Sequence, residues 1–127
     1  MKKNVGLWID HKKTVIVFLT DKDEEIKLIV SNTENHPHSG VRADDVRQSI
    51  LSEYLKRYYD EVISAISSAE SILIFGPGEA KGELKKRLES KNYGEKIVNV
   101  ETSDEMTNQQ IAAKVRNYFL NQNAAAN

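Results

Sequence analysis

Two short stretches carry the residue types that could act on a charged ligand: Asp10-His11-Lys12-Lys13 and Gly76-Pro77-Gly78-Glu79-Ala80-Lys81. In the second, Gly76 and Gly78 permit backbone conformations closed to other residues, while Pro77 fixes a bend and removes a donor. A helix opening at Glu79 leaves unpaired amides at its start, with Lys81 one turn in, which is the pattern of an anion site. The same pattern serves an ordinary strand-to-helix turn, in which Glu79 complements the helix dipole.

Asp10 is the leading candidate for metal chemistry. A carboxylate on a first strand can join other acids to hold two cations about 4 Å apart for phosphodiester cleavage. The partners on offer are Glu79, Asp104 and Glu105, with Glu53 and Asp60 contributing only if turned inward. No acid stands at Phe75-Gly76-Pro77-Gly78, so the set is incomplete. The competing role for Asp10 is to open a hairpin turn by accepting bonds from the amides of residues 12 and 13. His11, His36 and His38 are possible imidazole ligands, but Pro37 splays the latter pair and no cysteine assists them. No Gly-x-Ser-x-Gly elbow is present, and the glycine spacing does not make a Walker loop. No cofactor is expected.

Basic residues form a third set. Lys81, Lys85, Lys86, Arg87 and Lys91 fall on one expected helix, Lys12 and Lys13 on a hairpin tip, and Arg42 and Arg47 near the start of another helix. They could make a strip that contacts phosphates. Glu79, Glu83 and Glu89 lie among them, so a salt-bridged helix face is the alternative. Net charge is −1, from 18 basic and 19 acidic residues, so nucleic-acid contact through an overall positive field is excluded and any such contact is local. The chain has no cysteine, which fits a cytoplasmic location, and no apolar run approaches the ~20 residues that span a bilayer. Its 127 residues suffice for one domain, expected over 1–120, with a frayed Ala-rich tail over 121–127.

The elements that must position these residues follow from periodicity. Residues 5–10, 14–20 and 25–31 read as three antiparallel strands, with Ile26, Leu28 and Val30 expected on one face of the third. A polar loop over 32–44 precedes a long helix to about residue 69, in which Val46, Ile50, Tyr54, Tyr58, Val62 and Ile66 recur every four residues. Ile72-Leu73-Ile74-Phe75 has no polar alternation and reads as an interior parallel strand. A helix over 79–91 is expected to end with Gly94 as its left-handed residue, followed by a strand over 96–100. Thr107-Asn108-Gln109-Gln110 has capping-box form, with Met106 able to staple onto Ile111. The order βββ-α-β-α-β-α gives a ribonuclease H-like α/β fold: a mixed five-stranded sheet with helices on both faces, the first strand central and parallel to the fourth.

Trp8-Ile9-Asp10-His11, the stretch from Ile74 to Leu84, and Val100-Glu101-Thr102 with the Gln110-containing helix resemble a family of small bacterial proteins called "translational machinery protein". More distantly, the chain is similar to the middle domain of archaeal and eukaryotic class-1 peptide-release factors and of Pelota. There too a strand runs into Gly-Pro-Gly and a lysine-bearing helix, as Gly76-Pro77-Gly78 and Lys81 do here. The resemblance implies a translation-associated protein that contacts the ribosome or tRNA. In the release factors a Gly-Gly-Gln tripeptide before the long helix promotes peptidyl-tRNA hydrolysis. Here that loop has Ser39-Gly40-Val41 and no glutamine, and Gln48 falls inside the helix, so the likeness that remains is to Pelota and ribosome rescue.

Overall fold

A computed structural model describes residues 3–31 and 44–126, with side chains described over 3–31 and 52–121. The apolar runs become five strands: β1 Asn4–Ile9, β2 Lys13–Leu19, β3 Glu24–Val30, β4 Ser71–Gly76 and β5 Ile97–Thr102. The four-residue periodicities become α1 Asp44–Ala65, α2 Ala80–Ser90 and α3 Asn108–Ala126. The sheet order is β3-β2-β1-β4-β5. β1 pairs antiparallel with β2 and parallel with β4, matching Leu7 to Ile16 on one side and to Ile74 on the other. β4 pairs parallel with β5 on its far side. The interior position of Ile72 to Phe75, covered on both faces, is therefore the one its unbroken apolar run demands.

Two helices cover one face and one helix the other. Leu7, Ile9, Ile16, Ile72 and Ile74 pack with Tyr58, Tyr59, Val62 and Ile63 of α1 and with Ala80, Leu84 and Leu88 of α2. Trp8, Val15, Val17, Leu73 and Phe75 pack with Ile111, Ala112, Val115 and Phe119 of α3. α3 can sit this close because β1 carries a glycine beneath it. A Cβ at Gly6 would lie 2.3 Å from a methyl carbon of Val115.

Ile26, Leu28 and Val30 share a face of β3, as expected, and are 42%, 57% and 55% exposed there, while Ile29 on the opposite face is buried. Several expectations are corrected. The turn after α2 uses Asn92, at φ 69°, as its left-handed residue rather than Gly94. The amides of Asn92 and Tyr93 bond to the carbonyls of Glu89 and Leu88 at 3.1 and 2.9 Å, a Schellman closure that frees Gly94 to begin a 3-10 turn. That turn delays β5, which starts at Ile97 and runs on to Thr102. α1 stops at Ala65, where the Ile66 amide is shared between the carbonyls of Val62 and Ile63. α3 runs from Asn108 to Ala126. The start of α3 is as its sequence reads: Thr107 Oγ1 accepts the Gln110 amide at 3.1 Å, and Gln110 Oε1 accepts the Thr107 amide at 2.9 Å. Met106 packs on the cluster that contains Ile111.

Candidate functional site

β1 and β4 are adjacent and parallel, so their carboxyl ends open at the same end of the sheet. From there the chain leaves toward β2 on one side and, through α2, toward β5 on the other. In open α/β sheets this divergence leaves a crevice at the strand ends. The Asp10–Lys13 hairpin and the Gly76–Glu79 turn form its walls.

The hairpin is held rigidly. Asp10 Oδ1 accepts the amides of Lys12 and Lys13, both at 2.8 Å, and the Asp10 amide bonds to the Lys13 carbonyl at 3.0 Å. Tyr58 reaches the hairpin from α1 and donates to the Asp10 carbonyl at 3.0 Å. Its single proton is then committed, so the buried Thr14 hydroxyl, 2.6 Å away, is the donor to Tyr58. Ser31 Oγ donates to the His11 carbonyl at 2.7 Å.

The opposite wall depends on two glycines. Gly76 adopts φ 152°, and a Cβ there would stand 2.2 Å from the carbonyl oxygen of Ile9. Gly78 adopts φ 62° with open space around it. Glu79 occupies the N-cap of α2 without a side-chain capping bond, and the Lys81 amino group folds back onto the Gly78 carbonyl.

Glu83, one turn into α2, ties that helix to α1 and to the hairpin. Its Oε1 accepts a hydrogen bond from the Tyr59 hydroxyl and contacts His11 Nε2 at 3.0 Å. Burial, then the carboxylate beside it, pushes the Tyr59 hydroxyl's pKa far up, and burial likewise raises that of Tyr58. Lys13 lies over the Trp8 ring at 5.4 Å and pairs with Glu105 at 3.4 Å.

The result is a cleft of ≈ 490 Å³ lined by Asp10, His11, Lys12, Lys13, Pro77, Gly78, Glu79, Ala80 and Glu105. Of the residues singled out from sequence, Asp10, Lys12, Lys13, Pro77, Gly78 and Glu79 meet here, with Gly76 and Lys81 supporting the turn. Lys85 is exposed further along α2. Asp104 presents its carbonyl to Trp8 Nε1 at 3.0 Å, and its neighbour Glu105 lines the cleft instead. Arg87 binds both oxygens of Asp60 at 2.6 and 2.9 Å, and Lys91 stands 3.4 Å from the same carboxylate. The hydrogen bonds from Arg87 hold the Asp60 carboxyl below its ordinary range. These two cations therefore lock α2 to α1, and Lys86 lines a separate apolar hollow between those helices. Arg42, His36 and His38 lie outside the described residues; Arg47 is in α1, its side chain outside them. Among the described residues, no three His, Cys, Asp or Glu side chains are grouped to hold a metal ion.

Sequence reasoning missed the Tyr59–Glu83–His11 connection. The signal for Tyr59 was its adjacency to Tyr58, since consecutive tyrosines at the margin of an apolar helix face reach neighbouring elements. Nothing in the sequence pointed to Glu83 over Glu79 or Glu89.

With this geometry in hand, the fold has likenesses among solved structures. The chain superposes on Pelota from Thermoplasma acidophilum with a TM-score of 0.56 at 14% identity, covering 84% of this chain and 29% of that one. Archaeoglobus fulgidus Pelota gives 0.59 at 13% identity, over 91% of this chain and 31% of that one. The archaeal translation termination factor aRF1 gives 0.54 at 12% identity, over 96% and 40%. The chain thus spans roughly a third of the length of each of these proteins. No family model matches it, and no curated protein does. The shared fold is a mixed sheet of five strands with three helices. No helix among the described residues is long and apolar enough to cross a membrane.

Proposed function

We propose that this chain is a non-catalytic, translation-associated protein that contacts ribosomal or transfer RNA and serves in ribosome rescue or a stress response in the cytoplasm. The observation that carries the reading is the crevice at the ends of β1 and β4, where a Gly-Pro-Gly turn and a lysine-bearing helix face a second, lysine-bearing hairpin. Support comes from the likeness in fold to Pelota and aRF1 and from the sequence resemblance to the bacterial "translational machinery protein" family. The contact surface comprises Lys12, Lys13, the turn Gly76-Pro77-Gly78-Glu79, Lys81 and Lys85, with Arg42 and Arg47 as further members. Backbone amides of the turn and a local set of lysines suit phosphate oxygens, which fix position without reading sequence. Asp10 serves this site as the brace of its hairpin. Sedimentation of a lysate through sucrose gradients at low and high salt tests the proposal. Co-migration with ribosomal particles that weakens as salt rises is expected. Retention at the top of the gradient under every condition, translational stress included, overturns it.

A further inference from the structure

β3 is an edge strand whose outer row of side chains is apolar, which edge strands ordinarily avoid. Ile26, Leu28 and Val30 stand opposite Val17, Val15 and Lys13 in register, which places them on the face covered by α3. A single helix about 10 Å across spans two or three strands at ~4.8 Å spacing. α3 lies over β2, β1 and β4 and reaches β3 through the Arg116–Glu24 ion pair at 2.6 Å, yet the apolar residues Ile26, Leu28 and Val30 stay exposed.

The backbone of the same residues is also open. The Ser31 amide bonds to the Lys12 carbonyl at 2.8 Å, so odd-numbered residues of β3 turn their peptide groups toward β2. By the alternation of an antiparallel ladder, Ile26, Leu28 and Val30 direct theirs outward. One set of residues therefore offers both an apolar stripe and the hydrogen-bonding edge beneath it.

We propose that β3 pairs antiparallel with β3 of a second copy of this chain, with Leu28 on the two-fold axis, so that the two sheets become one. The occupant follows from the sequence of the strand. The stripe Ile26-Leu28-Val30 is palindromic in character about Leu28, as an isologous contact requires. In this register Leu28 meets Leu28, Ile26 meets Val30 and Val30 meets Ile26, and all three pairings are of the kind that exchange both backbone bonds. Centring on Lys27 would oppose two lysines at the closest spacing of the ladder, and centring on Ile26 would set Leu28 against Glu24. The segment that follows β3, residues 32–43, contains Val41 as its one large aliphatic residue and has no stripe to lay here. Because the two-fold is perpendicular to the sheet, the crevices of the two copies open at opposite ends of the joined sheet, and both stay accessible.

The test uses the full chain. Sedimentation velocity over a wide concentration series is expected to show a monomer–dimer equilibrium, since a one-strand seam belongs to the small, weak class of interfaces. Leu28→Lys is expected to abolish the dimer while far-UV circular dichroism is unchanged, Leu28 being 57% exposed. The chain has no cysteine, so Leu28→Cys places a single thiol at the axis. There the two Cα atoms are about 5.5 Å apart, within disulfide reach, and mild oxidation is expected to give a covalent dimer. Ile26→Cys, whose counterpart lies about 13 Å away along the strand, is expected not to cross-link. A monomer at every concentration, a dimer that survives Leu28→Lys, or cross-linking through Ile26→Cys in preference to Leu28→Cys would each overturn the proposal.

Discussion

Gly76 brings the end of β4 so close to β1 that a Cβ there would lie 2.2 Å from the carbonyl oxygen of Ile9. The approach is between two backbones, so neither side can yield without breaking the parallel ladder that sets both walls of the crevice. Gly78, two residues on, meets nothing within 4 Å and is constrained only by φ 62°.

These two glycines should respond differently to alanine. Gly76→Ala combines an unfavourable φ with a backbone clash and is expected to destabilise by about 2–4 kcal/mol. Gly78→Ala carries only the left-handed penalty of about 1–2 kcal/mol. Urea unfolding followed by circular dichroism measures both. Equal losses would show that the Ile9 contact is not decisive.

Tyr58 closes a buried chain of bonds from Thr14 to the Asp10 carbonyl. Tyr58→Phe orphans the fully buried Thr14 hydroxyl and is expected to destabilise by about 1–3 kcal/mol. The pKa values of Tyr58 and Tyr59 are raised in the folded state, chiefly by burial. Their contribution is therefore complete below the unfolded value near 10 and is lost as pH rises above it, where the unfolded chain ionises first. Unfolding at alkaline pH should follow, and replacing both by phenylalanine should flatten stability against pH above about 10.

Asp60 works in the opposite sense. Its carboxyl is held low by Arg87, so its contribution is present above the unfolded value near 4 and is lost as pH falls through the folded one. The side chain is 39% exposed and solvent screens the pair, so Asp60→Asn should lower stability at neutral pH by about 1 kcal/mol or less. The variant should show a shallower acid limb below pH about 4. A wild-type acid limb in Asp60→Asn would mean that the ion pair does not hold α2 to α1.

Charge reversal on the proposed contact surface should separate RNA contact from simple charge. Lys81→Glu and Lys85→Glu are each expected to weaken low-salt co-sedimentation with ribosomes, lowering the salt slope by about 1 for each phosphate no longer neutralised. Lys56→Glu, beside the hollow between α1 and α2, is expected to leave it unchanged. Equal effects at all three positions would place the RNA-binding surface elsewhere.

Gly6 is a test of how α3 is seated. Gly6→Ala forces Val115 away from β1, with an expected loss of about 1–3 kcal/mol. Pairing it with Val115→Ala should recover part of that loss, read as coupling in a double-mutant cycle.

The local decisions were legible in the residues themselves. An unbroken Ile72-Leu73-Ile74-Phe75 run fixes an interior strand, Asp10 beside two following amides fixes a hairpin, and Thr107 with Gln110 fixes a helix start. Each is settled within a few neighbours, by the dihedrals and hydrogen-bond partners those residue types favour. The fate of Ile26, Leu28 and Val30 was not, because alternation tells which side chains share a face but not how many helices arrive to cover it. Likewise the contact of His11 with Glu83 joins positions 72 residues apart. Only the packing of α2 beside α1 and the end of β1 brings Tyr59 and the hairpin's His11 close enough for one carboxylate to reach both.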